Sequence, residues 1–116
     1  MKELEKKILE AILNNEDLYY FIRDNIKQLQ ENKDYFRKYF LKNPKDAYRY
    51  ALDVDKKPRE DTRKAACKDP FYAYCYALYI DKKPREDTRK VACKNSEYKK
   101  LYKEWEENER IREETS

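Results

Sequence analysis

The stretch NPKDAYRYALDVDKKPREDTRKAACK, residues 43–68, runs directly into DPFYAYCYALYIDKKPREDTRKVACK, residues 69–94, and 19 of the 26 aligned positions are identical. The shared residues comprise an unbroken DKKPREDTRK and a PxxAYxYAL, which marks a duplication rather than a likeness of composition. The same step continues outward from the pair. It gives Asp17, Asn43, Asp69 and Asn95, all of them residue types that cap helix N-termini. Leu18, Pro44, Pro70 and Ser96 follow at the first helical position, where proline is well tolerated. Arg37-Lys38 likewise returns as Arg63-Lys64 and Arg89-Lys90.

Each unit reads as two short helices. Ala47, Tyr50, Ala51 and Val54 form one apolar stripe that Tyr48 and Leu52 widen, and Ala73, Tyr76, Ala77, Ile80, Tyr74 and Leu78 repeat it. Pro58 disfavours helical backbone in its predecessor, so the first helix is expected to stop around residues 55–57 and a second to run from Pro58 to Cys67. Glu60 and Asp61 would lie in its first turn and Arg63 and Lys64 toward its end, an order that suits the helix dipole. Helices of this length are marginal alone and become stable by stacking on neighbours.

The expected fold is therefore all-α, a short solenoid-like stack of antiparallel helix pairs with a 26-residue repeat. A single helical-repeat domain covers 1–116: an N-terminal helix in 1–16, a diverged unit at 17–42, units at 43–68 and 69–94, and a capping helix with an acidic tail at 95–116. Leu4, Ile8, Ala11 and Ile12 supply the buried stripe at one end, and Tyr98, Leu101, Tyr102 and Trp105 at the other. The segment 18–30 is read as one helix, and Tyr35, Phe36, Tyr39, Phe40 and Leu41 place the densest core in the diverged unit.

The motif in NPKDAYRYAL and DPFYAYCYAL, an (N/D/S)P-x-x-AYxYA signature, resembles short tandem helical repeats of bacteriophage and bacterial proteins of unknown function. Those repeats often carry a glycine in the link between the two helices, where this chain has Asp55-Lys56-Lys57 and Asp81-Lys82-Lys83. The resemblance implies an all-helical, phage-like small accessory protein and supplies no catalytic residue.

Composition narrows the chemistry. The 116 residues include no glycine and no histidine, which removes glycine-rich phosphate cradles, histidine-based triads and HExxH zinc sites. Cys67, Cys75 and Cys93 are odd in number and lack CxxC spacing, which points away from a disulfide framework and toward a reducing cytoplasm. No signal peptide or membrane span is expected. The adjacent carboxylates at 60–61, 106–107 and 113–114 point about 100° apart on a helix and do not form a glycosidase-like pair. The expectation is a protein that is not an enzyme, with no catalytic residue, cofactor or metal.

Two candidate surfaces remain. Lys57, Arg59, Arg63 and Lys64 recur as Lys83, Arg85, Arg89 and Lys90. The recurrence describes a solvated ionic face, with Asp61 pairing to an arginine of the adjacent unit, a basic ridge tracking a phosphate backbone, or a ridge that takes an acidic protein partner. With 28 basic and 24 acidic residues the net charge is only +4, and three bases against six acids lie in 103–116. Such a balance favours the ionic face and leaves weak nucleic-acid binding. The second surface is Phe71, Tyr72 and Tyr79, which stand where the preceding copy has Lys45, Asp46 and Asp53. Aromatics that the duplicated fold does not require are read either as extra packing under the C-terminal helix with Tyr98, Leu101, Tyr102 and Trp105, or as an exposed protein interface or homodimer contact. The preferred function is a non-enzymatic interaction module, a small accessory protein of phage or mobile-element type that binds and modulates a host protein. The alternatives are a nucleic-acid-associated protein and a structural homo-oligomer.

Overall fold

Asp17, Asn43 and Asp69 each turn a side-chain oxygen back onto a backbone N–H of the helix they precede, Tyr19, Lys45 and Tyr72 respectively. Asn95 does the same for Glu97, so all four spaced caps are formed. These are features of a computed structural model that describes residues 1–115; Ser116, the last residue of the expected capping helix, lies outside them. Among the described residues the chain is all helical, with no strand.

The elements are α1 (Lys2–Leu13), α2 (Leu18–Asp24), α3 (Ile26–Glu31), α4 (Lys33–Phe36) with a 3-10 turn at Arg37–Tyr39, α5 (Pro44–Tyr50), α6 (Glu60–Ala66), α7 (Pro70–Tyr76), α8 (Glu86–Ala92) and α9 (Ser96–Thr115). The expected single helix over 18–30 is broken at Asn25, whose side-chain amide donates to the Phe21 carbonyl. A side chain that satisfies the backbone this way competes with helix continuation.

Helices α5 and α7 each run into a wider π-turn, Ala51–Asp55 and Ala77–Asp81. Lys56 and Lys82 close these turns in the left-handed region, with φ 56° and 57°. That conformation favours glycine, yet lysine holds it in both turns.

The second helix of each pair starts later than Pro58 suggests. Arg59 and Arg85 are extended N-cap residues, and α6 and α8 begin at Glu60 and Glu86. The cause lies in the following unit. The Tyr76 hydroxyl accepts from the Arg59 N–H at 2.9 Å, donates to the Arg59 carbonyl at 2.9 Å and contacts Thr62 Oγ1 at 2.7 Å. Tyr102 holds Arg85 and Thr88 in the same way. Tyr50 reaches back to the Lys33 carbonyl at 2.6 Å, and Phe36 occupies the threonine position there.

Charged side chains lock the same joints. Arg37 is clamped between Asp55 and Asp61, with Nη1 and Nη2 on the Asp55 oxygens at 3.0 and 2.9 Å and Nε on Asp61 at 2.6 Å. Arg63 holds Asp81, its Nη2 at 2.6 Å, and Arg89 holds Glu106. The Asp55 and Asp81 carboxylates are almost wholly buried. A buried pair of this kind is strongly destabilised when only one partner is removed.

Apolar packing also crosses from unit to unit. Leu4, Ile8, Ile22, Leu29, Phe36, Phe40, Tyr50 and Val54 form one cluster, so α1 is packed by its Leu4, Ile8 and Ala11 stripe. Tyr48, Ala51 and Ala66 join Cys75, Tyr76 and Ile80 of the next unit in a second. Ala73, Ala77 and Ala92 join Tyr102 in a third. Two expected core residues lie elsewhere: Leu101 is 37% and Tyr35 is 40% exposed. Tyr35 is instead drawn to Glu5 of α1, which also accepts from the Tyr39 hydroxyl. The molecule is elongated, about 51 × 29 × 20 Å.

Candidate functional site

The repeated basic segment divides by residue type. Its arginines are engaged in ion pairs: Arg59 with Asp34 and Asp61, Arg63 with Asp81, Arg85 with Asp87, and Arg89 with Glu106. Lys57, Lys64, Lys83 and Lys90 are exposed and make no ion pair among the described residues. The guanidinium groups that would grip phosphate in bidentate fashion are thus directed to carboxylates. Asp61 does pair with arginine of a neighbouring unit, Arg37, whose hydrogen bonds hold the Asp61 carboxyl below its usual range. Arg37 itself is raised further above its ordinary value, because Asp61 and Asp55 outweigh the burial that works against its charge.

The three aromatic replacements on the first helix of the 69–94 unit have different surroundings. Phe71 is 40% exposed and rests against Tyr98 of α9, with ring centres 5.4 Å apart. Tyr72 is half-buried and packs on Tyr48 at 5.9 Å. Tyr79 is 54% exposed. Phe71 and Tyr79 lie eight residues apart, about 12 Å along the helix, so they do not make one contiguous patch. The expectation that a position charged in one copy is open in both fails at Tyr72. Its counterpart Asp46 is partly buried, and burial, reinforced by the nearby Asp17 charge, pushes its carboxyl up to about 6.

Tyr79 forms one wall of a surface groove of about 420 Å³ between the two π-turns, with Leu52, Ile80, Lys56, Lys57 and Lys82 among its lining. Sequence reasoning singled out Tyr79 and Lys57 but did not join them. What joins them are the two π-turns closed by left-handed Lys56 and Lys82, which a link without glycine does not announce. Sequence reasoning also missed the buried Arg37–Asp55 and Arg63–Asp81 pairs. Their common spacing of 18 residues, kept in both copies, was the available signal.

Burial pushes the Cys67 and Cys75 thiols up to about 11, away from nucleophilic thiolate character, and both are free. Among the described residues, no group of three or more His, Cys, Asp or Glu side chains is arranged to hold a metal ion. No helix of the described residues is long and apolar enough to cross a membrane. No protein-family model, curated protein or solved structure matches the chain.

Proposed function

We propose that the chain is a non-enzymatic protein-interaction module, built as a short solenoid of 26-residue helix pairs and acting in the cytoplasm as a small accessory protein. The observation that carries the reading is Tyr79, an aromatic ring 54% exposed where the twin copy has Asp53. The shared fold does not need an aromatic there, and rigid aromatic rings are the usual anchors of protein interfaces. Phe71, with Lys45 as its counterpart, supplies a second and partly covered ring.

The recurring tyrosine and arginine joints support the solenoid. Units coupled only to their neighbours present one continuous side to a partner while the joints keep that side rigid. The host-protein role follows the resemblance to phage and bacterial repeats.

The test is capture of binding proteins from a bacterial host lysate on immobilised protein, with and without nuclease. The wild type retains a specific protein in both conditions. The variant Phe71→Lys with Tyr79→Asp, which restores the side chains of the earlier copy, loses it at unchanged thermal stability. Capture that disappears with nuclease, or survives both substitutions, removes the proposal.

A further inference from the structure

The groove beside Tyr79 has a chemistry of its own. Ile80 is buried at its base, Leu52 is half-buried beside it, and the Tyr79 ring stands free along one side. Lys56, Lys57 and Lys82 are exposed around these apolar groups. No carboxylate among the described residues lines it. Asp55 and Asp81, adjacent to the lysines in sequence, are buried and held by Arg37 and Arg63, so their charge is satisfied inside the joints. The result is an apolar slot surrounded by three ammonium groups with no neutralising partner in its lining.

We infer that this groove receives an acidic peptide segment of a partner protein, one whose aliphatic or aromatic side chain is flanked by carboxylates. The apolar side chain lies against Leu52, Tyr79 and Ile80 and removes them from water. The carboxylates lie over Lys56, Lys57 and Lys82, which attract an acidic approach and repel a basic one. This assignment rests on the proposed interaction function and names the partner's chemistry.

The surroundings favour a short acidic segment over a long polyanion. A phosphate backbone needs positive charge that continues from unit to unit. One unit earlier, the corresponding groove is lined by Tyr19, Ile22, Ile26, Arg23 and Lys56 together with Asp53, which takes the place of Tyr79, so Lys56 is shared by the two grooves. A carboxylate thus interrupts the basic lining.

The experiment is selection from a displayed library of random peptides of about twelve residues, on the intact protein at about 150 mM salt, where charge contacts are already screened beyond about 8 Å. Enriched peptides are expected to be net acidic with one or two large apolar residues. Their affinity is expected to fall about tenfold or more for the triple variant Lys56→Asn, Lys57→Gln, Lys82→Asn, as for loss of several complementary charges at one interface. Asparagine accepts the left-handed backbone at 56 and 82, so the triple variant removes charge without straining the fold. Thermal unfolding of the variant, expected to match or exceed that of the wild type, checks this. Tyr79→Asp is expected to abolish binding and Phe71→Lys to leave it unchanged.

Enriched peptides without acidic bias, or bound equally by the triple variant, overturn the assignment. So does an oligo-dT of about twenty nucleotides that binds more tightly than any selected peptide at the same salt. Peptides that lose affinity with Phe71→Lys but not with the groove variants leave the interaction function standing and remove the groove. A selection that enriches nothing over an unrelated control protein removes both.

Discussion

Tyr76→Phe deletes one oxygen and tests the joint between the two duplicated units. That oxygen accepts from the Arg59 N–H, donates to the Arg59 carbonyl and pairs with Thr62 Oγ1, which is itself fully buried. The phenylalanine ring fills the same space, so apolar burial is unchanged and the loss is confined to hydrogen bonding. Each buried polar group left without a partner costs about 1–3 kcal/mol. Without the tyrosine oxygen, Thr62 turns its one hydroxyl proton to the Arg59 carbonyl at 3.1 Å, and Arg59 is only half-buried, so water reaches part of the site.

The Arg59 N–H and the Thr62 oxygen each lose a partner at a cost near the lower end of that range, about 2 kcal/mol together. For a domain of this size that lowers the melting temperature by about 10 °C. Urea unfolding followed by circular dichroism measures it, with the slope unchanged. Tyr102→Phe is expected to match it, because Tyr102 makes the same contacts with Arg85 and Thr88. Tyr50→Phe loses only the bond to the Lys33 carbonyl and is expected to cost about 1 kcal/mol. A Tyr76→Phe protein within about 0.5 kcal/mol of wild type would refute the reasoning, since that is the range of a neutral surface change. An equal loss for Tyr50→Phe would also refute it.

Two further outcomes follow from backbone and charge. Lys82→Gly removes a side chain from a left-handed residue and is expected to raise stability by about 0.5–1 kcal/mol in the same urea titration, whereas Lys83→Gly gives no gain. Burial pushes the Asp46 carboxyl up to about 6, above its unfolded value, so the folded state holds the proton more tightly and the contribution of Asp46 to stability falls as pH rises from about 4 to about 6. Asp46→Asn removes that loss. After allowance for partial exposure it is expected to stabilise by about 1 kcal/mol at neutral pH and by little near pH 3.5, measured by thermal unfolding at the two values.

The all-helical character, the four caps and the alanine and tyrosine stripe were legible in the sequence because each rests on local chemistry repeated at a fixed step. The helix starts at Glu60 and Glu86 were not. Pro58 reads as a first-turn residue, and the deciding contact is a tyrosine hydroxyl 17 residues beyond Arg59, as it is beyond Arg85 in the other copy. The charged surface was half legible. Lys57 and Arg59 belong to the same motif, yet a carboxylate on another helix, Asp34, takes the arginine and leaves the lysine in water. Exposure at Tyr72 was misread because Asp46, its counterpart, is partly buried despite its charge. The Tyr79 groove was invisible, since it arises from left-handed turns that lysine does not announce.

Deleting residues 69–94 tests the modular stack most directly. The cut joins Lys68 to Asn95, a Lys-Asn junction that the intact chain already has at 94–95. It places Tyr102 over Arg59 and Thr62 at the spacing Tyr76 has in the intact protein, and Glu106 within reach of Arg63 at the spacing it has from Arg89. The measurement is thermal unfolding of the shortened protein by far- and near-ultraviolet circular dichroism. The account predicts the same helicity per residue and one cooperative transition at a lower temperature, because one joint fewer stabilises the chain. A protein that is unfolded, or that keeps helicity with no near-ultraviolet signal and no cooperative transition, would contradict it.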